Sequence, residues 1–396
     1  MAASLIAATK SWRPLAAGIL VLAPLLTLWN LGAADLAPKL VVKIGRQLSG
    51  ITDDPVPVPA SLRTFADGAL QKSAMQAVND ANPLRPPLIR LANQVRYKLF
   101  GAYGAPDVVA GEQGQLIEQS YVDEYCRRDL AVLETKARAW IPKLKALQDS
   151  FAARGHTLIY VITPSKMAHV PELFLPRLSC ASTPFDRVQY LPTYTRLLRE
   201  AGVRFVDLAT LTHGLRGRYE IDVFPAGGTH WNALGVAHAA DAVLAEINRD
   251  QAIAPRLKWG YTITDRPAGS DRELVDLINV LLPQVRYPTA RVTFDKNACA
   301  DFPAAHLNMA IVGGSFIHAL ARTLIIDGCL RGLRSYNYLY RGRRSGPAYA
   351  IDKERLTAAD IAPLADADIV ILEENEQVLP GSAHAEEFRR VLTAAP

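Results

Sequence analysis

Residues 309–316 read Met309-Ala310-Ile311-Val312-Gly313-Gly314-Ser315-Phe316. The apolar run suits a strand buried on both faces, and the pattern from Phe316 to Ile326 is helical. A serine between such a strand and a helix lies where open α/β sheets place reactive groups, at the carboxyl ends of the strands. Its hydroxyl is presented there, and nearby backbone N–H groups and the helix N-terminus favour a developing oxyanion. Gly313 and Gly314 allow a close approach that a Cβ blocks. Serine is also a preferred N-cap, so capping is the competing explanation of Ser315. Positions 313–317 read Gly-Gly-Ser-Phe-Ile, which excludes the Gly-x-Ser-x-Gly nucleophile elbow.

The same alternation extends outward from this stretch. Thr157–Ile162, Val203–Leu208 and Ala367–Leu372 have strand character. Helical patterns cover 128–153, interrupted by Pro142, and 187–200, 232–246, 272–282 and 383–392. Uninterrupted apolar strands between helices predict an α/β fold, a mostly parallel sheet flanked by helices. Further helical patterns occupy 62–80 and 87–99.

A second stretch, Phe224-Pro225-Ala226-Gly227-Gly228-Thr229-His230-Trp231-Asn232, places a histidine in a Gly-rich turn that opens a helix. A packing histidine would sit in an apolar stripe, and His230 does not. Imidazole can take a proton from a serine and return it to a leaving group. Trp231 can wall a pocket, and Asn232 can cap the helix. The far ring nitrogen needs an acceptor that sets the tautomer. Asp222, eight residues upstream, is the nearest carboxylate and the expected partner. Asp207, Glu373 and a backbone carbonyl are its rivals.

Two further strand ends carry charge. Lys166, in Thr163-Pro164-Ser165-Lys166, is placed either to meet an anionic sugar or to face water. Glu373-Glu374-Asn375-Glu376 offers carboxylates to a cation or to a solvated rim, without a calcium-loop spacing. The net charge of +5 is thinly spread, apart from three arginines in 341–344, and gives no nucleic-acid footprint. The four cysteines, at 126, 180, 299 and 329, form no Cys-x-x-Cys pair. Zinc is therefore unsupported, and one or two disulfides are expected. The glycines of 101–111 lack the Gly-x-Gly-x-x-Gly pattern, so no dinucleotide cofactor is expected.

Lys10 and Arg13 precede an uncharged run from Pro14 to Ala34. Its length and flanking charges predict one membrane helix, and a cleaved signal ending at Gly32-Ala33-Ala34 is the alternative. The expected organisation is an anchor or signal at 1–34, a Pro-rich linker at 35–60, and one catalytic domain at 61–396.

Taken together, Gly228-Thr229-His230-Trp231-Asn232, Gly313-Gly314-Ser315-Phe316, Thr163-Pro164-Ser165-Lys166, Asp368–Glu373 and Val108–Glu118 resemble the SGNH-hydrolase-like polysaccharide O-acetyltransferases of the AlgJ/AlgX alginate group. The histidine precedes the serine, which looks like that group's permuted arrangement. The resemblance implies a permuted SGNH-like fold with His230 as base and Ser315 as acyl carrier. It implies acetyl transfer to an exported polysaccharide, with the acetyl group supplied by a membrane-bound O-acyltransferase. It also implies a bacterial inner-membrane anchor and a periplasmic catalytic domain. Gly228 and Gly314 stand where the family pattern has aspartates, so Asp222 is expected to orient His230. A carbohydrate acetylesterase and a non-catalytic polysaccharide-binding or assembly subunit are the alternatives.

Overall fold

The computed structural model describes residues 18, 21–50, 58–100, 105, 107–250, 254, 256–283, 286–295, 308–324, 332–337 and 366–394. They divide into two compact units.

The first unit comprises Met1–Pro106 and Asp276–Pro283. Its helices are residues 21–36, Leu62–Ala66, Ala69–Ala81 and Arg85–Phe100. Ser61 and Thr64 form a reciprocal capping box at the second of these. Here the expected membrane helix is corrected: among the described residues, no helix is long and apolar enough to cross a membrane. Helix 21–36 instead holds the polar side chain of Asn30 buried, and its amide donates to the carbonyls of Val42 (2.9 Å) and Ala81 (2.9 Å). The expected signal anchor and single-pass inner-membrane placement rested on that helix and are corrected with it. Residues 1–17 and 19–20 of that region, and 51–57 of the expected linker, lie outside the described residues.

The second unit comprises Asp107–Val275 and Gln284–Pro396. At its centre is a five-stranded sheet of β3 (Thr157–Thr163), β4 (Phe205–Asp207), β7 (Asn308–Gly313), β8 (Gly332–Asn337) and β9 (Ile369–Asn375). The spatial order is β4-β3-β9-β7-β8, and every neighbouring pair runs parallel. Two antiparallel ladders lie outside it. One is β1 (Val108–Ala110) with β2 (Leu116–Glu118), and the other is β5 (Trp259–Thr264) with β6 (Thr289–Phe294). Strand pairing in the protein is therefore mixed, a second correction to the expected fold class.

The middle strands are buried on both faces because both are covered. On one side β3 and β9 send Ile159, Val161 and Ile371 against Val236, Ala240 and Val243 of helix Ala233–Ile247. On the other, Leu158, Tyr160 and Leu372 meet Leu133, Leu144 and Phe151 of helix Leu130–Ala153. Each fully buried aliphatic side chain of this kind contributes about 1.5–3 kcal/mol. Helix Leu130–Ala153 continues through Pro142 as one element, started by Asp129, whose side chain accepts from the Val132 amide. Cys126 and Cys180 form a disulfide, whereas Cys299 and Cys329 lie outside the described residues.

Candidate active site

The carboxyl ends of β3, β9 and β7 bring together three strand-end segments that sequence order keeps far apart. Ser315 follows β7 directly. The carbonyl of Gly314 accepts the first bond of the next helix from Ile317 N (3.3 Å), and that of Ser315 accepts from His318 N. The backbone therefore closes this turn, and the serine hydroxyl is not its cap. Ser315 Oγ lies 2.7 Å from His230 Nε2.

His230 reaches that position from a heavily tied turn. Asn232 caps helix Ala233–Ile247 by accepting from Leu234 N (3.1 Å) and Gly235 N (3.2 Å). Its own amide donates to Asp222 O at 2.9 Å. Phe316 packs on the imidazole, with ring centroids 4.6 Å apart, and edge-on against buried Trp231.

The acid on the far side of the ring is Glu273, at the start of a short helix. Its Oε1 lies 2.6 Å from His230 Nδ1, and it also accepts from the amides of Thr229 (2.9 Å) and His230 (3.3 Å). Burial pushes the Glu273 carboxyl up, but the His230 hydrogen bond and charge, with the two amides, outweigh it and hold it below the usual range. Asp222, the expected partner, is placed elsewhere: its Oδ1 lies 2.8 Å from His169 Nε2 and accepts from Phe224 N at 3.0 Å. The rival Asp207 caps the following helix through Thr210 N, and Glu373 lies against the serine loop rather than the ring's far nitrogen.

Packing explains why the acid comes from position 273. A Cβ on Gly228 would sit 2.3 Å from Ser270 O, and one on Gly227 would sit 2.3 Å from Val275 Cγ2. The segment carrying Glu273 occupies the space a side chain at 228 would need. Leu274 N donates to Gly227 O at 3.0 Å and locks it there.

The remaining strand-end charges are committed internally. Lys166 is buried, and its ammonium donates to Leu116 O (2.7 Å), Pro225 O (2.7 Å), Ala226 O (3.1 Å) and Gly228 O (2.8 Å). It is thus neither solvated nor turned toward a sugar. Glu374 accepts from Tyr160 Oη at 2.7 Å. Glu376 bonds Arg128 (3.1 Å) and His213 (2.9 Å), which against burial hold its carboxyl at about 2. Among the described residues no cluster of His, Cys, Asp or Glu is arranged for a metal ion, so the expected alternatives of a cation site and a wet rim both give way.

Beside the site, Trp231, Ser270 and Asp271 line a cavity of about 460 Å³ that Arg266, Arg291 and Arg322 also border. Burial pushes the Asp271 carboxyl up to about 6, and Thr289 donates to it at 2.7 Å.

A family model described as SGNH hydrolase-like domain, acetyltransferase AlgX, matches residues 120–319, half of the chain. The match includes His230, Glu273 and Ser315. A search of curated proteins returns no match. Among solved structures, the O-acetyltransferase domain of Pseudomonas putida AlgJ is similar over 74% of this chain and 96% of that one, at 17% identity and a TM-score of 0.46. Pseudomonas aeruginosa AlgX is similar over 72% and 65%, at 13% identity and 0.44. Bacillus cereus PatB1 with a sulfonyl adduct is similar over 72% and 99%, at 10% identity and 0.43. On the family match, this chain belongs to the SGNH hydrolase-like family that is described by acetyltransferase AlgX.

Proposed function

We propose that the protein transfers an acetyl group to hydroxyls of an exported polysaccharide through an acyl-enzyme on Ser315. Family membership supports acyl-transfer or esterase-type chemistry in general. The observation that carries the specific assignment is the unbroken line Ser315–His230–Glu273, with contacts of 2.7 Å and 2.6 Å. Glu273 accepts the Nδ1 proton, which leaves the Nε2 lone pair facing the serine hydroxyl. As Oγ bonds to the acyl carbon, its proton passes to Nε2 and then to the departing group of the donor. The sugar hydroxyl next gives its proton to Nε2 and attacks the acyl carbon, and Nε2 returns that proton to Ser315 Oγ as the acyl bond to the serine breaks. The Ser315 amide, which has no acceptor among the described residues, is the proposed donor for the oxyanion. The Gly314 amide is spent on Glu373. A membrane-bound O-acyltransferase remains the proposed source of the acetyl group. The complete Ser–His–Glu line removes the main support for a non-catalytic subunit, which was the glycine at 228.

Peptide mapping after treatment with p-nitrophenyl acetate or a sulfonyl fluoride should find one adduct, on the peptide carrying Ser315. No adduct, or an adduct elsewhere, would overturn the assignment.

The cavity bordered by Arg266, Arg291 and Arg322 supports an acceptor that carries carboxylates. Arg322→Glu should raise the KM for an acidic oligosaccharide roughly five- to tenfold, the scale of reversing one partly exposed charge. Acylation of Ser315 by an uncharged ester should stay unchanged. Equal KM values for acidic and neutral acceptors in both proteins would remove the acidic acceptor.

A further inference from the structure

We propose that Glu373 is a positioning residue for Ser315: it fixes the loop that presents the serine, and it must be ionised for the serine to react. The inference rests on the acyl-enzyme role of Ser315. Glu373 ends the apolar part of β9, the strand between β3 and β7, and is fully buried. Its Oε2 accepts from the amide of Gly314 at 2.7 Å, the residue immediately before the nucleophile. Its Oε1 accepts from the hydroxyl of Thr163 at the end of β3. One carboxylate thereby joins the ends of three neighbouring strands at the point where Ser315 leaves the sheet.

The glycine before that loop follows from the same contact. A Cβ on Gly313 would stand 2.4 Å from Glu373 Oε2 and 2.7 Å from its Cβ. Gly313 therefore makes room for a carboxylate from the next strand. That carboxylate occupies the Gly314 amide and so leaves the Ser315 amide as the oxyanion donor.

A neutral side chain of the same shape would satisfy the hydrogen bonds, so the charge needs its own explanation. His230, from the facing turn, and Glu374, from its own strand, both act on Glu373. Burial pushes its carboxyl up to about 7, Thr163 and the Gly314 amide pull it down, Glu374 raises it and His230 lowers it. Attraction between Glu373 and His230 is strongest when the ring is an imidazolium, the state formed as Ser315 attacks. Ionised Glu373 thus attracts the imidazolium of the reacting state, alongside Glu273.

The test is the rate of Ser315 acylation by an uncharged ester as a function of pH, in wild type, Glu373→Gln and Thr163→Val. Glu373 must lose a proton for the serine to react, so its titration should contribute to the acid limb of log rate against pH in wild type. In Glu373→Gln, which keeps an oxygen for Gly314, that contribution should vanish and the acid limb become shallower than in wild type, and the plateau rate should drop by roughly tenfold or more. Removing the Thr163 hydroxyl takes away a bond that favours the carboxylate, so the limb in Thr163→Val should move to higher pH. Slopes and plateau rates in Glu373→Gln equal to wild type, with Thr163→Val unshifted, would overturn the proposal and leave the serine chemistry standing. Failure of wild type itself to acylate would overturn both.

Discussion

Glu273→Gln should slow acylation of Ser315 on the order of 10³- to 10⁴-fold. Three N–H groups converge on Glu273 Oε1: Nδ1 of His230 and the amides of Thr229 and His230. A glutamine that turns its oxygen inward keeps these bonds and loses the charge that stabilises the imidazolium. One that turns its NH₂ inward opposes two amide donors and forces the other tautomer, which leaves no lone pair for the serine. Either outcome removes stabilisation made mainly in the reacting state, so kcat should fall with little change in KM. The folded-state pKa of Glu273 is depressed. Its stabilisation is therefore fully present above the ordinary carboxylate pKa and is lost only as pH falls through the lowered value. The acid limb of the rate near neutrality does not belong to it. Asp222→Asn, which keeps an oxygen for His169 and for Phe224 N, should lower thermal stability while acylation survives. Acylation that tolerated Glu273→Gln but failed in Asp222→Asn would return the orienting role to Asp222.

The reason Glu273 was hidden in the sequence, while His230 and Ser315 were visible, is physical. The serine and the histidine each announce themselves locally, by an apolar strand running into Gly-Gly-Ser and by a polar Gly-rich turn before a capped helix. Glu273 has no such signature. It reaches the ring only because the segment around it packs onto Gly227 and Gly228, a contact spanning some forty residues of chain. Two adjacent glycines do signal that another backbone approaches closely, but not which one. Lys166 and the carboxylates after β9 were legible as strand-end charges. Their roles were not, because desolvation and hydrogen bonding depend on tertiary neighbours.

The fold shows the same division. β3, β7 and β9 are apolar runs whose burial on both faces is written in their composition. β8, Gly332-Leu333-Arg334-Ser335-Tyr336-Asn337, is an edge strand without such a run. β5 and β6 pair across a long connection that no hairpin turn marks. The N-terminal apolar run misled for the opposite reason. Hydropathy counts apolar residues but does not register an Asn30 side chain bonded to Val42 and Ala81.

Lys166→Met should cost the fold about 3–5 kcal/mol, the scale of leaving several buried carbonyl acceptors without their donor. The stem volume is kept, so the loss isolates the ammonium. Four carbonyl oxygens converge on it, from Leu116 on β2 and from Pro225, Ala226 and Gly228. The last three lie on the turn that leads into Thr229 and His230. Without the amino group their dipoles point at one another across a dry space. The melting temperature should fall by roughly 10 °C. Acylation of Ser315 should fall as well, because the turn loses the point that fixes it. The pH dependence has a definite sign. Burial draws the Lys166 pKa down to about 7, against upward pulls from Asp222 and Glu273. Between that value and the ordinary lysine pKa the unfolded chain binds the extra proton, so the advantage of wild type over Lys166→Met should grow as pH rises through this window. A variant that melts within about 2 °C of wild type and acylates normally would show that the turn holds its shape without the lysine. The carbonyl cluster would then be a consequence of the fold and not one of its supports.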